Sequence, residues 1–130
     1  MTKATGTFTI ESWEATPYDE AEGATLSRTR VTKTFAGEIA GTSTAELLMA
    51  MAQDGSAAYV GLERIMGRVH GREGSFVLHH SATMTKDAQS ASWTVVPDSG
   101  TGELRSLRGT AVITNEPDGG HTFTLEYEAE

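Results

Sequence analysis

Alternation of apolar and polar residues at a period of two, broken by short glycine turns, is the feature that most limits what this chain can fold into. "TGTFTIESW" puts Phe8 and Ile10 on one face and Thr7, Thr9 and Glu11 on the other. That spacing belongs to a strand with one buried face. "TLSRTRVTKTFAG" is rich in β-branched residues with charges interleaved. "STAELLMAMAQ" suits a helix by propensity alone. Asp54-Gly55 follows it directly, however, and a second apolar run, "SAAYVGLERIMG", comes next. Asp-Gly between two such runs is a strong hairpin signal, so strands are expected on both sides. Further turns are expected in His70-Gly71-Arg72-Glu73, near Lys86-Asp87 and in Pro117-Asp118-Gly119-Gly120.

Strands are therefore expected at 4–14, 25–37, 42–53, 56–69, 73–84, 88–97, 108–115 and 121–129. Eight strands with mostly short links predict an all-β fold: an eight-stranded antiparallel up-and-down barrel, because closure removes unpaired edges. The segment "PDSGTGELRSLRG" before strand 7 is the main irregular stretch. Its glycines permit a tight backbone path, and a short helical turn bearing Leu104 and Leu107 is expected to plug one barrel end. No linker, repeat or low-complexity tract divides the chain, so residues 1–130 are expected to form one domain.

Composition narrows the partners. The net charge of −8 repels phosphate backbones and anionic lipids, so neither nucleic acid nor membrane is an expected partner. The chain has no cysteine, which excludes disulfides and thiolate chemistry and fits a reducing compartment. "MTKATGT" shows neither the basic nor the apolar region of a secretory signal, and no run approaches a membrane span of about 20 apolar residues. A cytoplasmic location is expected.

Hairpin arithmetic brings candidate chemistry together. A two-residue loop at Asp54-Gly55 would set Glu46 opposite Glu63, Leu48 opposite Gly61 and Ala50 opposite Tyr59. A shift of one residue would exchange the faces of one strand. A two-residue turn at Gly71-Arg72 or at His70-Gly71 puts Phe76, Leu78 and His80 on the face of Tyr59, Glu63 and Ile65. A turn at Lys86-Asp87 places His80 opposite Trp93. One mixed face then gathers Glu46, Tyr59, Glu63, His80 and Trp93, and the reverse face holds Leu47, Met49, Met51, Val60, Leu62 and Met66. Either the mixed face lines a cavity and the apolar face meets another subunit, or the apolar face is the core and the mixed face is wet. Pattern alone favours the second, because cores are usually apolar.

Glu63 and Glu46 are the candidate catalytic pair. Two buried facing carboxylates would not both ionise easily, giving a proton donor beside a base. His80 would relay or orient that proton. The plain alternative is exposed glutamates neutralised by Arg28, Arg30 or Arg64. Tyr59 and Trp93 are candidate walls for a flat ligand, or ordinary packing aromatics. Arg28, with Arg30 on the same face, would bind an acidic ligand or pair with Glu63; solvated alternation is the alternative. His79 and His80 point to opposite faces of a strand, so no metal site is expected, and no cofactor motif is present. Gly100 and Gly102 form a G-x-G, but Arg105 stands where a third glycine would be needed, and the context is all-β.

"GTGELRSLRG" resembles the glycine-rich signature before a late strand in allene oxide cyclase and dirigent barrels. Together "TFTIESWEATPYDE", "YVGLERIMGRVHGREGSFVLHHSAT", "SWTVVPDSGTGELRSLRGTA" and "FTLEYE" resemble a bacterial family of small proteins of unknown function in the allene-oxide-cyclase-like superfamily. The resemblance spans nearly the whole chain. It implies an eight-stranded barrel of that type that self-associates, and it adds weight to an interior mixed face. It supplies no activity, and the plant residues do not align one by one. "HH" stands where glutamine-histidine is commoner in the family, which implies that His79 is dispensable. The expected function is binding of a small apolar molecule inside the barrel, with cyclisation or isomerisation as its catalytic form. The alternatives are a noncatalytic carrier and a structural barrel that associates through its outer face.

Overall fold

A computed structural model describes residues 1–130. Eight strands follow one another: β1 (Thr2–Ala21), β2 (Ala24–Gly37), β3 (Ile39–Ala52), β4 (Ala57–Val69), β5 (Arg72–Met84), β6 (Gln89–Val95), β7 (Arg108–Asn115) and β8 (His121–Glu128). Each pairs antiparallel with its neighbours in sequence, and β8 returns to β1 through registers from Thr2–Tyr127 to Phe8–His121, closing the barrel. The expected up-and-down barrel is thus observed, with two single helical turns, at Gln53–Gly55 and at Gly102–Leu104 before β7.

β1 runs well past the expected 4–14 stretch. Beyond Phe8 it has left β8 and pairs only with β2, bulging between Ile10 and Ser12 and between Pro17 and Asp19. Pro17 breaks no ladder there, because that stretch is a sheet edge. The result is a hairpin overhanging the barrel's open end.

The opposite end is filled. Leu104 and Leu107, from the loop before β7, are fully buried and join Phe35, Ile65, Phe76, Phe123 and Leu125 in the main core. The turn comes close because Gly74 faces it: a Cβ at Gly74 would strike the Thr101 carbonyl. Gly41 and Gly67 face each other across β3 and β4, and a Cβ on either would run into the opposing backbone. The missing side chains let the two strand backbones approach closely there.

One register departs from the two-residue expectation. Asp54 and Gly55 both adopt positive φ, at 60° and 77°, inside a three-residue turn, and Ala52 N–H bonds to the Ser56 carbonyl at 2.8 Å. Ala45 therefore faces Glu63, and Glu46 faces Leu62. Every β3 side chain changes sides relative to the two-residue register. Ser43, Ala45 and Leu47 are buried inside, while Glu46 and Leu48 point out. The next two hairpins follow the expected geometry. His70-Gly71 makes the β4–β5 turn, and His80 lies opposite Trp93.

The inward face is the mixed one. Glu63 and His80 are 1% and 3% exposed, whereas Leu48, Val60, Leu62 and Met66 on the outer wall are each 50–58% exposed. The seam between β6 and β7 is the thinnest in the wall. Only Trp93–Ala111 and Thr94–Thr110 pair there, and Gln89–Ser92 have no β7 partner.

The plug leads to a direct expectation. Leu104→Ala removes a fully buried side chain and should lower stability by about 2–5 kcal/mol in urea unfolding. Leu62→Ala on the outer wall should change it by less than about 1 kcal/mol. Equal losses at the two positions would mean that Leu104 does not fill the barrel end.

Candidate functional site

Each strand contributes by parity. On β2 the inward residues are Thr29, Val31, Lys33 and Phe35, so Lys33 is carried inside between two apolar neighbours. Arg28 and Arg30 have the opposite parity and stay outside. Lys33 faces Ser43 across β2 and β3, and Glu63 comes in from β4. His80, on β5, lies opposite Gly61 and beside Trp93 of β6; a Cβ at Gly61 would strike the Glu46 carbonyl and the Leu47 side chain of β3.

These side chains form one connected cluster. The Glu63 carboxylate has Oε1 3.2 Å from Lys33 Nζ and 2.8 Å from His80 Nε2, and Oε2 accepts the Ser43 hydroxyl at 2.5 Å. Trp93 Nε1–H donates to His80 Nδ1 at 3.0 Å. An indole N–H is a donor only, so Nδ1 must offer a lone pair and the imidazole proton sits on Nε2, toward Glu63. Nε2 has no straight hydrogen bond; it meets Oε1 at close range but off the line of an ideal N–H···O. Lys33 also lies over the Phe8 ring, 4.7 Å from its centroid.

Burial pushes the Glu63 carboxyl up, but the His80 contact, the Lys33 charge and the Ser43 hydroxyl outweigh it and hold its pKa down at about 2. Glu63 is thus a fixed anion at neutral pH. The expected raised carboxylic acid is absent because its proposed partner is elsewhere. Glu46 lies on the outer wall, 3.7 Å from Arg28 and 3.8 Å from Arg30, with all three side chains well exposed. Burial also raises the Tyr59 phenol, and the Glu63 charge adds to that rise.

Above the cluster lies a cavity of about 250 Å³, opening at the overhanging end of the barrel. Trp13, Leu47, Met49, Tyr59, Trp93 and Ile113 supply its apolar wall, and Lys33 and His80 its polar floor. Of the residues expected to share one face, Tyr59, Glu63, His80 and Trp93 do so, while Glu46 does not; Arg28, the candidate for an acidic ligand or for pairing with Glu63, is outside with Glu46. Lys33 and Ser43 were not anticipated. A lysine in phase with Val31 and Phe35 was the available signal for the first; nothing distinguished the serine. The other histidines are dispersed: His70 lies beside Tyr127 near the closed end, His79 faces outward, and His121 stacks on Phe8 with centroids 4.9 Å apart at the cavity rim. No three metal-ligating side chains gather at one point.

The chain belongs to the DUF3224 family, "protein of unknown function", whose model matches residues 4–127. It is similar to a protein of unknown function of that family from Shewanella oneidensis MR-1, known from a crystal structure at 1.84 Å. The two are 40% identical, with a TM-score of 0.86 over 100% of this chain and 98% of the other. Among curated proteins, none matches the chain.

The depressed Glu63 pKa has a defined sign. Its folded value lies below the ordinary 4.5, so the stabilisation it contributes is complete above about pH 4.5 and is lost as pH falls toward 2. The size is on the order of 3 kcal/mol. Glu63→Gln should remove that acid-dependent loss and strand the Lys33 ammonium, lowering stability at pH 7 by about 3–5 kcal/mol. Urea unfolding of both proteins across pH 2.5–7 checks this; an unchanged pH slope in the variant would exclude Glu63 as its source.

Proposed function

We propose that this barrel binds a small, mainly apolar molecule in the cavity above the Lys33–Glu63–His80 cluster. The observation that carries the reading is the contrast between the barrel's two ends. Leucines fill one, while the other holds about 250 Å³ of space walled by aromatic and aliphatic side chains. That volume lies below the roughly 300–1,000 Å³ of pockets for drug-sized molecules, so the ligand has about one ring. A barrel with a purely structural role has no use for a walled space above a buried polar floor.

The carrier reading is preferred to a carboxylate-driven isomerase. Glu63 is held ionised by hydrogen bonds from Lys33 and Ser43 with His80 close by, so it orients His80 and Lys33 rather than donating a proton. If the protein turns its ligand over, confinement against Tyr59 and Trp93 supplies the larger share. The topology and the glycine-rich turn before β7 support a place in the allene-oxide-cyclase-like superfamily. The absence of cysteine supports a cytoplasmic setting, and no helix is long and apolar enough to cross a membrane.

A second copy of the chain is the proposed occupant of the outer β3–β4 wall. Closure leaves few strand edges for pairing, and the exposed Leu48, Val60 and Leu62 lie beside both Arg28 and Glu46. A patch with both signs is self-complementary under a two-fold axis. Light scattering should give a dimer that Leu48→Glu with Leu62→Glu converts to monomer; a wild-type monomer at high concentration would remove the interface.

Native mass spectrometry of protein purified from its own host should show added mass that denaturation releases. Met49→Trp, which narrows the cavity, should weaken retention by about tenfold, equivalent to roughly 1.4 kcal/mol. If the variant retains the same adduct as fully as wild type, the ligand lies elsewhere. The absence of any adduct and of any binding by small aromatic probes would end the reading.

A further inference from the structure

We infer that the ligand of this cavity is electrically neutral and presents a hydrogen-bond acceptor, as a ketone, lactone or other ring-sized carbonyl compound does, and that Lys33 reads that acceptor. The inference rests on the cavity being a binding site and goes further by fixing the ligand's polarity.

Donor arithmetic comes first. Lys33 is the only cationic side chain lining the cavity besides the two imidazoles, and only 9% of its side chain is exposed. An ammonium has three N–H donors and no acceptor. One is directed at Glu63 Oε1, and the Phe8 ring lies against another side of the group. Lys33 makes no other hydrogen bond within the protein, so donor capacity remains on the side facing the cavity. A buried ammonium gains most from an acceptor that satisfies it, and such a bond is charge-assisted. The neighbouring groups are already committed. Trp93 gives its N–H to His80, and Glu63 takes donors from Lys33 and Ser43 with His80 close by. A ligand cation would meet the Lys33 charge with no free carboxylate to balance it.

Charge balance comes second. Lys33 and Glu63 cancel, and the indole bond fixes His80 in its neutral Nε2–H form. The cavity floor is therefore neutral before anything binds. A carboxylate ligand would place a second anion beside Glu63 in an apolar enclosure, with one ammonium between them, and its desolvation would go largely uncompensated. The net charge of −8 also repels an approaching anion. A neutral carbonyl loses little on leaving water and gains the Lys33 bond.

Acetophenone, benzoate and ethylbenzene share a ring and nearly one size, and differ in acceptor and charge. Both tryptophans of the chain, Trp13 and Trp93, line the cavity, so the two indole N–H resonances in a ¹H–¹⁵N spectrum report occupancy. At pH 8, above the ordinary imidazole range, acetophenone should bind about tenfold more tightly than either benzoate or ethylbenzene. In the charge-neutral double variant Lys33→Met with Glu63→Gln, which strands no buried ion, acetophenone should fall to the affinity of ethylbenzene. Benzoate binding as tightly as acetophenone would overturn the charge argument, and ethylbenzene doing so would overturn the acceptor argument. In both cases the cavity would stand as a binding site. A double variant that kept the acetophenone preference would remove Lys33 as its reader. If none of the three probes shifts either indole, the binding site and this inference fail together.

Discussion

Closure of the sheet is the constraint on which the rest depends. An open sheet offers two faces that can trade the roles of core and surface. A closed one has a single inside, and the parity of each strand decides which side chains enter it. Once β8 pairs with β1, Lys33, Ser43, Glu63 and His80 are committed to the interior whatever their polarity. Four polar side chains drawn in this way would destabilise the barrel singly. Together they are stable because each supplies what another lacks: Lys33 neutralises Glu63, Ser43 and His80 approach its two oxygens, and Trp93 fixes the imidazole.

The same constraint explains the exposed apolar wall. Leu48, Val60 and Leu62 face out because their neighbours in sequence face in, not because the chain lacks room to bury them. A purely hydrophobic choice of core would have buried this wall and exposed Glu63. Closure, glycine placement and the leucine plug decide otherwise. Gly41, Gly67 and Gly74 sit where backbone meets backbone, and they let the wall curve tightly around the buried side.

Most of the fold was legible in the sequence, because strand period and turn chemistry are local. Val60 to His80 shows why: alternation fixed which residues share a face, and His70-Gly71 fixed the register that brings Glu63 and His80 to the same side. The Asp54-Gly55 hairpin shows where legibility ends. The dipeptide announced a turn, but two- and three-residue loops differ by one position, and that position moved Glu46 to the opposite side of the wall. The candidate site was legible on β4, β5 and β6 and obscure on β2 and β3. Arg28 and Arg30 drew attention as charges, yet the lysine three residues on had the inward parity. Its role depends on β2 lying two strands from β4, which no short-range pattern encodes. The reach of β1 past residue 14 was obscured by Pro17, a strand breaker in general but harmless where no second neighbour needs its N–H.

The β6–β7 seam gives this wall a direction of weakness. Two residue pairs hold it, against seven or more at every other seam. Trp93, which helps hold the seam through its backbone, also holds His80 through its indole. Loosening the slit therefore loosens the ring that faces the cavity. The barrel behaves less like a rigid can than like a sleeve with one short row of stitches. A local opening at this seam, where the fewest ladder pairs must break, would release the wall and the histidine ring together.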